Sequence, residues 1–322
     1  MGVGCLLTGV AGFVGSHLAE RLLALGHWVI GVDDLSTGKP SNMDTFRSHP
    51  HFVFHERSVI EPGLVQDLAE LHPGMQILFH LAAVVSVPYS VTHPQETMAV
   101  NHQGTLRLLS DAGRRGLRVF VFAGSAAEYG TDCRLPLRED YADAATQHLS
   151  PYGKSKYLAS CAVASSQAPL GIALRFFNIY GPRQDPSSQY SAVISRFVEM
   201  AYRQIPLSIF GDGQQTRDFI YVADAVDAYL HAAGLHGKNS PNPIAAGICN
   251  VATGVPTSIL ELANLIRELT DNRRDPAFSA ERPGDIRHSV ASIERLCTES
   301  GWMPRVSLRD GLLQTLTWVQ SS

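Results

Sequence analysis

Cysteine is scarce in this chain and never closely paired. The five are Cys5, Cys133, Cys161, Cys249 and Cys297, with no C-x-x-C spacing among them. An odd set of scattered thiols suits a reducing compartment and argues against both a disulfide framework and a zinc site. Charge is sparse as well: Asp, Glu, Lys and Arg make up 17% of the residues, and the net charge is -4. No basic surplus is left to attract nucleic acid or an anionic membrane. Long uninterrupted apolar runs are also missing. Residues 1–19 hold no Asp, Glu, Lys or Arg, which superficially resembles a signal or membrane segment. Yet no basic stretch precedes them, and Gly2, Gly4, Gly9, Gly12 and Gly15 interrupt them. A buried strand, a glycine loop and a helix account for the same residues. A cytoplasmic protein is expected, with neither a membrane span nor a metal. At 322 residues and 45% hydrophobic content, it can bury the core of one large domain or two.

The first half alternates short apolar or β-branched runs with helical patterns. Strands are expected at 28–32, 52–55, 77–82, 119–124 and 172–178, with helices around 16–25, 62–71, 94–115 and 151–166. Such alternation predicts a parallel sheet covered on both faces. A ligand should then sit beyond the carboxyl ends of the strands, where the glycine loop, Asp33, Ala82 and Ser125 fall. After Gly181 the alternation is lost. A helix is expected near 192–203, short strands near 207–210 and 219–222, a surface loop over 236–247, and helices at 258–269 and 308–319. The expected fold class is α/β, a Rossmann-type doubly wound parallel sheet with a smaller C-terminal substrate domain. Residues 1–178 and a returning segment near 217–235 would form the first domain, and 179–216 with 236–322 the second.

Thr8-Gly9-Val10-Ala11-Gly12-Phe13-Val14-Gly15 is a G-x-x-G-x-x-G run between an apolar strand and a helix. Glycines there permit a tight turn and close approach of a pyrophosphate, which the free N–H groups of the helix start stabilise. Asp33 closes the second strand, where a carboxylate accepts hydrogen bonds from ribose hydroxyls and repels a ribose phosphate. The reading favours NAD over NADP.

Further on, Tyr152 and Lys156 stand at i and i+4 of the 151–166 helix. A free tyrosine has a pKa near 10, and bringing it to about 7 takes about 4 kcal/mol. A cation within about 4–6 Å supplies part of that. Lys156 is expected to be one such cation, and the nicotinamide ring of NAD⁺ a second. Ser150 is the expected N-cap and Pro151 the first helical residue, which puts Tyr152 in the first turn, where the helix dipole favours an anion. Ser125, at the end of another strand, can hydrogen-bond the same substrate hydroxyl that Tyr152 deprotonates.

With these strings on the page, the chain resembles the extended short-chain dehydrogenase/reductases, and among them the nucleotide-sugar 4-epimerases. The likeness runs through His80-Leu81-Ala82-Ala83, Ser86-Val87-Pro88, Asn101 before Gly104-Thr105, Tyr129-Gly130 and Arg175-Phe176-Phe177-Asn178. It continues through Tyr180-Gly181-Pro182-Arg183-Gln184, Gly211-Asp212-Gly213, Arg217-Asp218-Phe219 and Arg282-Pro283-Gly284-Asp285-Ile286-Arg287. It implies cofactor contacts at Gly9, Gly12, Phe13, Val14, Gly15, Asp33, Ser58, Ala82, Ala83 and Asn101, as well as at Tyr152 and Lys156. On the substrate side it implies Ser86, Val87, Ser125, Asn178, Phe210, Arg217, Arg282, Asp285 and Ser289. In this likeness Asn178 contacts a diphosphate that Arg217 and Arg282 clamp, Phe210 packs on uracil, and two copies pair as a homodimer.

Two segments depart from the pattern. Ser58 stands where the family usually places an Asp that hydrogen-bonds adenine. Ala126 and Ala127 follow Ser125 where related dehydratases carry acids, and Glu128 comes one position late. The expected activity is therefore inversion of carbon 4 of a UDP-hexose through a 4-keto intermediate. Ser289, small where glucose-restricted relatives carry a large aromatic, leaves room for the N-acetyl group of UDP-GlcNAc or UDP-GalNAc. The alternatives are a nucleotide-sugar dehydratase or reductase on the same scaffold, or a non-catalytic protein that binds NAD and a UDP-sugar.

Overall fold

The structure, a computed structural model, describes residues 2–185, 193–237, 242–281 and 286–321. Its strands are β1 (Gly4–Thr8), β2 (Trp28–Asp33), β3 (Phe52–Glu56), β4 (Met75–His80), β5 (Val119–Ser125) and β6 (Leu170–Phe176). They continue with β7 (Asn178–Tyr180), β8 (Ser208–Phe210), β9 (Thr216–Tyr221), β10 (Gly247–Val251), β11 (Pro256–Ser258) and β12 (Ala277–Ser279). Seven of these form one all-parallel sheet in the order β10-β6-β5-β4-β1-β2-β3. Parallel strands covered on both faces are continuously apolar rather than alternating. Cys5-Leu6-Leu7 of β1 and Val119-Phe120-Val121-Phe122 of β5 have this form, and every one of these residues is buried.

Helices Phe13–Ala24 and Val222–Ala232 cover one face through Leu18, Leu22, Val226 and Leu230. Helices Leu64–Leu71, Thr105–Arg114 and Pro151–Ala164 cover the other through Leu68, Leu108, Ala159 and Val163. Each leucine or valine among them stabilises the fold by about 1.5–3 kcal/mol on burial. Strand order reverses about β1, whose neighbours are β2 and β4, so a crevice opens at the carboxyl ends of the strands. Thr8, Asp33, His80 and Ser125 are the last residues of β1, β2, β4 and β5, all on that rim. Beyond it lie a three-stranded sheet, β11-β9-β7, and a two-stranded one, β12-β8. Helices Val193–Tyr202, Ile259–Leu269 and Leu308–Ser321 accompany them.

The structure corrects the sequence reading in three places. The run 172–178 is not one strand: it breaks at Phe177, whose N–H bonds Val251 O (3.1 Å) and whose ring joins a cluster with Tyr129, Leu137, Ala252 and Ala291. Asn178 thereby passes into the three-stranded sheet. The run 94–115 is not one regular helix either, because a π-helical stretch, Ala99–Gly104, divides it and carries Asn101. Finally, residues 247–251 fall within the expected second domain. They instead pair with β6 and extend the main sheet. Of the expected 236–247 loop, residues 238–241 lie outside those described. Among the described residues, no helix is long and apolar enough to cross a membrane.

Candidate active site

The glycine loop is built around contacts that admit no side chains. Gly9 has φ +76°, and a Cβ there would lie 2.7 Å from the Ala82 amide nitrogen. A Cβ on Gly15 would lie 2.0 Å from Gly9 O. The turn closes through Gly12 N–H to Gly9 O (3.1 Å), and the helix starts at Phe13 with no side-chain cap from Gly12. Its leading N–H groups are the kind of donor set that holds a phosphate. The buried Asp33 carboxylate receives the N–H groups of Ala11 (2.9 Å) and Leu35 (2.9 Å). Burial pushes its pKa up, and those two bonds oppose the shift. Each oxygen keeps a second lone pair for a ribose hydroxyl. Ser58 is spent within the protein: its hydroxyl donates to Asp34 (3.1 Å) and its N–H to Glu61 (2.8 Å).

A buried polar chain braces the other wall of the crevice. Thr105 donates its single hydroxyl proton to Asn101 O (2.6 Å), so it accepts from His80 Nε2 (2.9 Å). His80 is fully buried, and desolvation, with Lys156 nearby, drives its pKa down to about 3. It is therefore neutral, and its Nδ1 accepts from the Thr8 hydroxyl (2.7 Å), which in turn receives the Ala82 N–H (3.3 Å). Asn101 spends its side-chain amide on Val84 N (2.8 Å), Val84 O (2.9 Å) and Ser155 Oγ (3.1 Å). It thus shapes the loop that carries Ala82 and Ala83.

Ser150 caps the helix Pro151–Ala164 by accepting the Gly153 N–H (3.1 Å), and Pro151 occupies the first helical position. The half-buried Tyr152 lies beside Ser125. Its N–H reaches Ser90 Oγ (3.2 Å), tying it to the short helix Val87–Thr92, which Ser86 caps. Lys156 is buried, donates to Ala123 O (2.9 Å) and lies 4.7 Å from the Phe122 ring centroid. Desolvation lowers its pKa to about 8. The expectation that Lys156 depresses the Tyr152 pKa needs correcting. Burial first, and then the Glu128 charge, push the phenol up, and the neighbouring Ser125 hydroxyl offsets only part of this. The ammonium is instead held against the Ala123 carbonyl.

Sequence reading missed the role of Glu128. Its carboxylate is fully buried, with Oε2 2.6 Å from Arg175 Nε and Oε1 accepting from Ser125 N (2.8 Å) and Ser160 Oγ (2.8 Å). It cannot serve as an acid facing a substrate. The order Glu128 and Arg175, 47 residues apart, carries no local signal; only a charged residue in each of two apolar strings hinted at a pair.

On the substrate side, β9 gathers the expected residues. Asn178 donates to Asp218 O (3.0 Å), Arg217 Nη1 to Thr216 O (2.8 Å), and Ser289 N to Thr216 O (3.1 Å). Phe210 ends β8 and accepts at its carbonyl from Gln215 (2.7 Å), while Val87 is exposed at the start of its helix. Arg287 pairs with Asp212 (2.7 Å), and its carbonyl accepts from Thr216 N (3.0 Å), which lays the Ser289 segment alongside β9. Asp218, to which the sequence assigns no role, is a buried hub taking N–H groups from Thr253, Gly254 and Ala291. Arg282 and Asp285 lie outside the described residues.

Over residues 5–247 the chain matches the family described as NAD dependent epimerase/dehydratase. This chain belongs to that family. As a member of it, the protein uses NAD, which fits a tight glycine loop at the start of a helix and a carboxylate at the end of β2. It is 35% identical to a UDP-glucose 4-epimerase of Mycolicibacterium smegmatis over 320 residues, 98% of each chain. It also resembles the solved UDP-glucose 4-epimerase of Thermotoga maritima, crystallised with UDP-glucose (TM-score 0.89, 32% identity, 99% of each chain). A UDP-N-acetylglucosamine 4-epimerase from Methanobrevibacter ruminantium is as similar (TM-score 0.89, 31% identity, covering 100% of this chain and 99% of that one).

Proposed function

We propose that this family member is a cytoplasmic, homodimeric UDP-sugar 4-epimerase that inverts carbon 4 through a 4-keto sugar. It would accept N-acetylated hexoses as well as UDP-glucose and UDP-galactose. The observation that carries the reading is the convergence of Ser125, at the end of β5, on Tyr152, with Lys156 one turn along the same helix. Tyr152 takes the proton of the sugar's 4-hydroxyl, Ser125 holds that oxygen, and Lys156 keeps a positive charge beneath them. Bound NAD supplies the acceptor for the carbon 4 hydride and returns it. Gly9, Gly12, Phe13, Val14, Gly15, Asp33, Ser58, Ala82 and Ala83 would line its site. Asn178 and Arg217, with Arg282, hold the diphosphate, since two phosphates call for permanently charged, forked partners. The first domain binds NAD and the second the nucleotide sugar.

Elimination of water is disfavoured because Ala126 and Ala127 hold no proton and Glu128 is buried against Arg175. The N-acetyl group fits because rejecting it takes a steric wall, and Ser289 provides none. The test is turnover of UDP-glucose and UDP-GlcNAc without added NAD, in the parent enzyme and in Ser289→Tyr. Absence of any epimer from protein shown to contain NAD overturns the reading. Turnover of UDP-glucose with UDP-GlcNAc untouched overturns the open pocket alone.

A further inference from the structure

Tyr152, Lys156 and Ser160 follow one another at four-residue intervals on a single helix face. Ser125 stands on a separate element, a turn at the end of β5. Two side chains must hold a fixed separation across this gap if both are to meet one substrate oxygen. Oε1 of Glu128 spans it, accepting from the Ser125 amide (2.8 Å) on one side and the Ser160 hydroxyl (2.8 Å) on the other. The surroundings are shaped for that carboxylate. A Cβ on Gly124 would lie 2.7 Å from Glu128 Oε1 and 3.1 Å from Ser160 Oγ, and a Cβ on Gly153 would lie 2.6 Å from Ala127 O. The carboxylate is anchored from behind by Arg175, which stands opposite Gly124 in β6 and also donates to Glu139 O (2.8 Å). Arg175 Nη2 is buried with no partner among the described residues. A pair this costly to desolvate is weak evidence of stabilisation, since apolar replacements of similar volume often do as well.

We infer that Glu128 is a positioning residue: its buried carboxylate, held by Arg175, ties the Ser125 turn to the helix of Tyr152 and so sets the distance between the two hydroxyls. This rests on the assignment of Ser125 to the substrate hydroxyl made above. The experiment removes the pair without stranding a charge, in Glu128→Leu/Arg175→Met, and then adds Ser125→Ala to both the parent and the double variant. A misplacement near 1 Å can cost about 10²-fold, so kcat is expected to fall about 10–100-fold, with KM and NAD content unchanged. Ser125→Ala should cost at least about tenfold in the parent but under about twofold in the double variant, because neighbours acting as a unit are not additive. Unchanged kcat in the double variant, or a Ser125→Ala cost that multiplies in full, overturns the inference. A Ser125→Ala enzyme as fast as the parent removes the assignment of Ser125, and this inference with it. Should the double variant not fold, Ser160→Ala decides, because it cuts one side of the bridge and keeps the ion pair. A lower kcat at unchanged KM supports the bridge, and an unchanged kcat overturns it.

Discussion

Gly12 and Gly15 look equivalent in the glycine motif, yet the structure assigns them very different tolerances. A Cβ on Gly15 would sit 2.0 Å from Gly9 O and 2.8 Å from Gly9 C, whereas one on Gly12 would sit 3.1 Å from Gly9 O. Carbon–oxygen contacts settle near 3.2 Å or more, so Gly15→Ala must drive helix and loop backbones apart by roughly 1 Å, while Gly12→Ala needs a few tenths. Overpacking of the first kind costs about 1–3 kcal/mol. Displacing the N–H groups of the helix start by about 1 Å should weaken NAD binding, because those donors would no longer meet a phosphate at hydrogen-bond distance. The assay is the NAD content of purified protein, followed by titration of the stripped enzyme and a melting curve for each variant. Gly15→Ala should emerge nearly free of NAD and melt several degrees lower, roughly 2–4 °C per kcal/mol. Gly12→Ala should retain most of its NAD. The reasoning fails if Gly15→Ala keeps its NAD and its Tm, or if Gly12→Ala proves the worse of the two.

Three further outcomes are expected. Tyr152→Phe should fold and hold NAD but lose about 10²–10⁴-fold in kcat, and retained turnover would mean that another group takes the proton. Lys156→Met should lose activity yet melt higher at pH 7, because holding Lys156 near 8 rather than 10.5 costs the folded state about 3 kcal/mol, less its bond to Ala123 O. That penalty is complete below pH 8 and disappears as pH rises to about 10.5, the range in which the unfolded chain alone keeps the proton. The melting advantage should therefore shrink across this window, and its absence at pH 7 refutes the argument. Arg217→Ala should raise KM for UDP-sugars with NAD content unchanged, and a fall in kcat alone would contradict its assignment to the diphosphate.

What could be read from the sequence was local. The glycine spacing, Asp33 at the end of a strand, the Ser150-Pro151 helix start and the four-residue step from Tyr152 to Lys156 each express a backbone requirement within a few residues. Apolar runs of five to seven residues likewise announce strands buried on both faces. The sequence by itself therefore determined the parallel sheet, the rim on which the site lies and the NAD-type loop.

Tertiary structure decided the rest, because its causes lie far apart along the chain. Residues 247–251 join the main sheet only because β6 offers a free edge. The strand after Leu170 breaks at Phe177 because that ring is drawn into a cluster with Ala252 and Ala291. Asn101 turns to the Val84 loop from a π-helical stretch that its own neighbours do not announce. Lys156 is spent on Ala123 O rather than on the phenol, so the charge state of Tyr152 could not be read from their spacing. Glu128, a misplaced acid in the linear string, becomes the bridge between Ser125 and Ser160 once Arg175 is brought against it. A buried charge is tolerable only where its partners converge, and that convergence exists only in the folded chain.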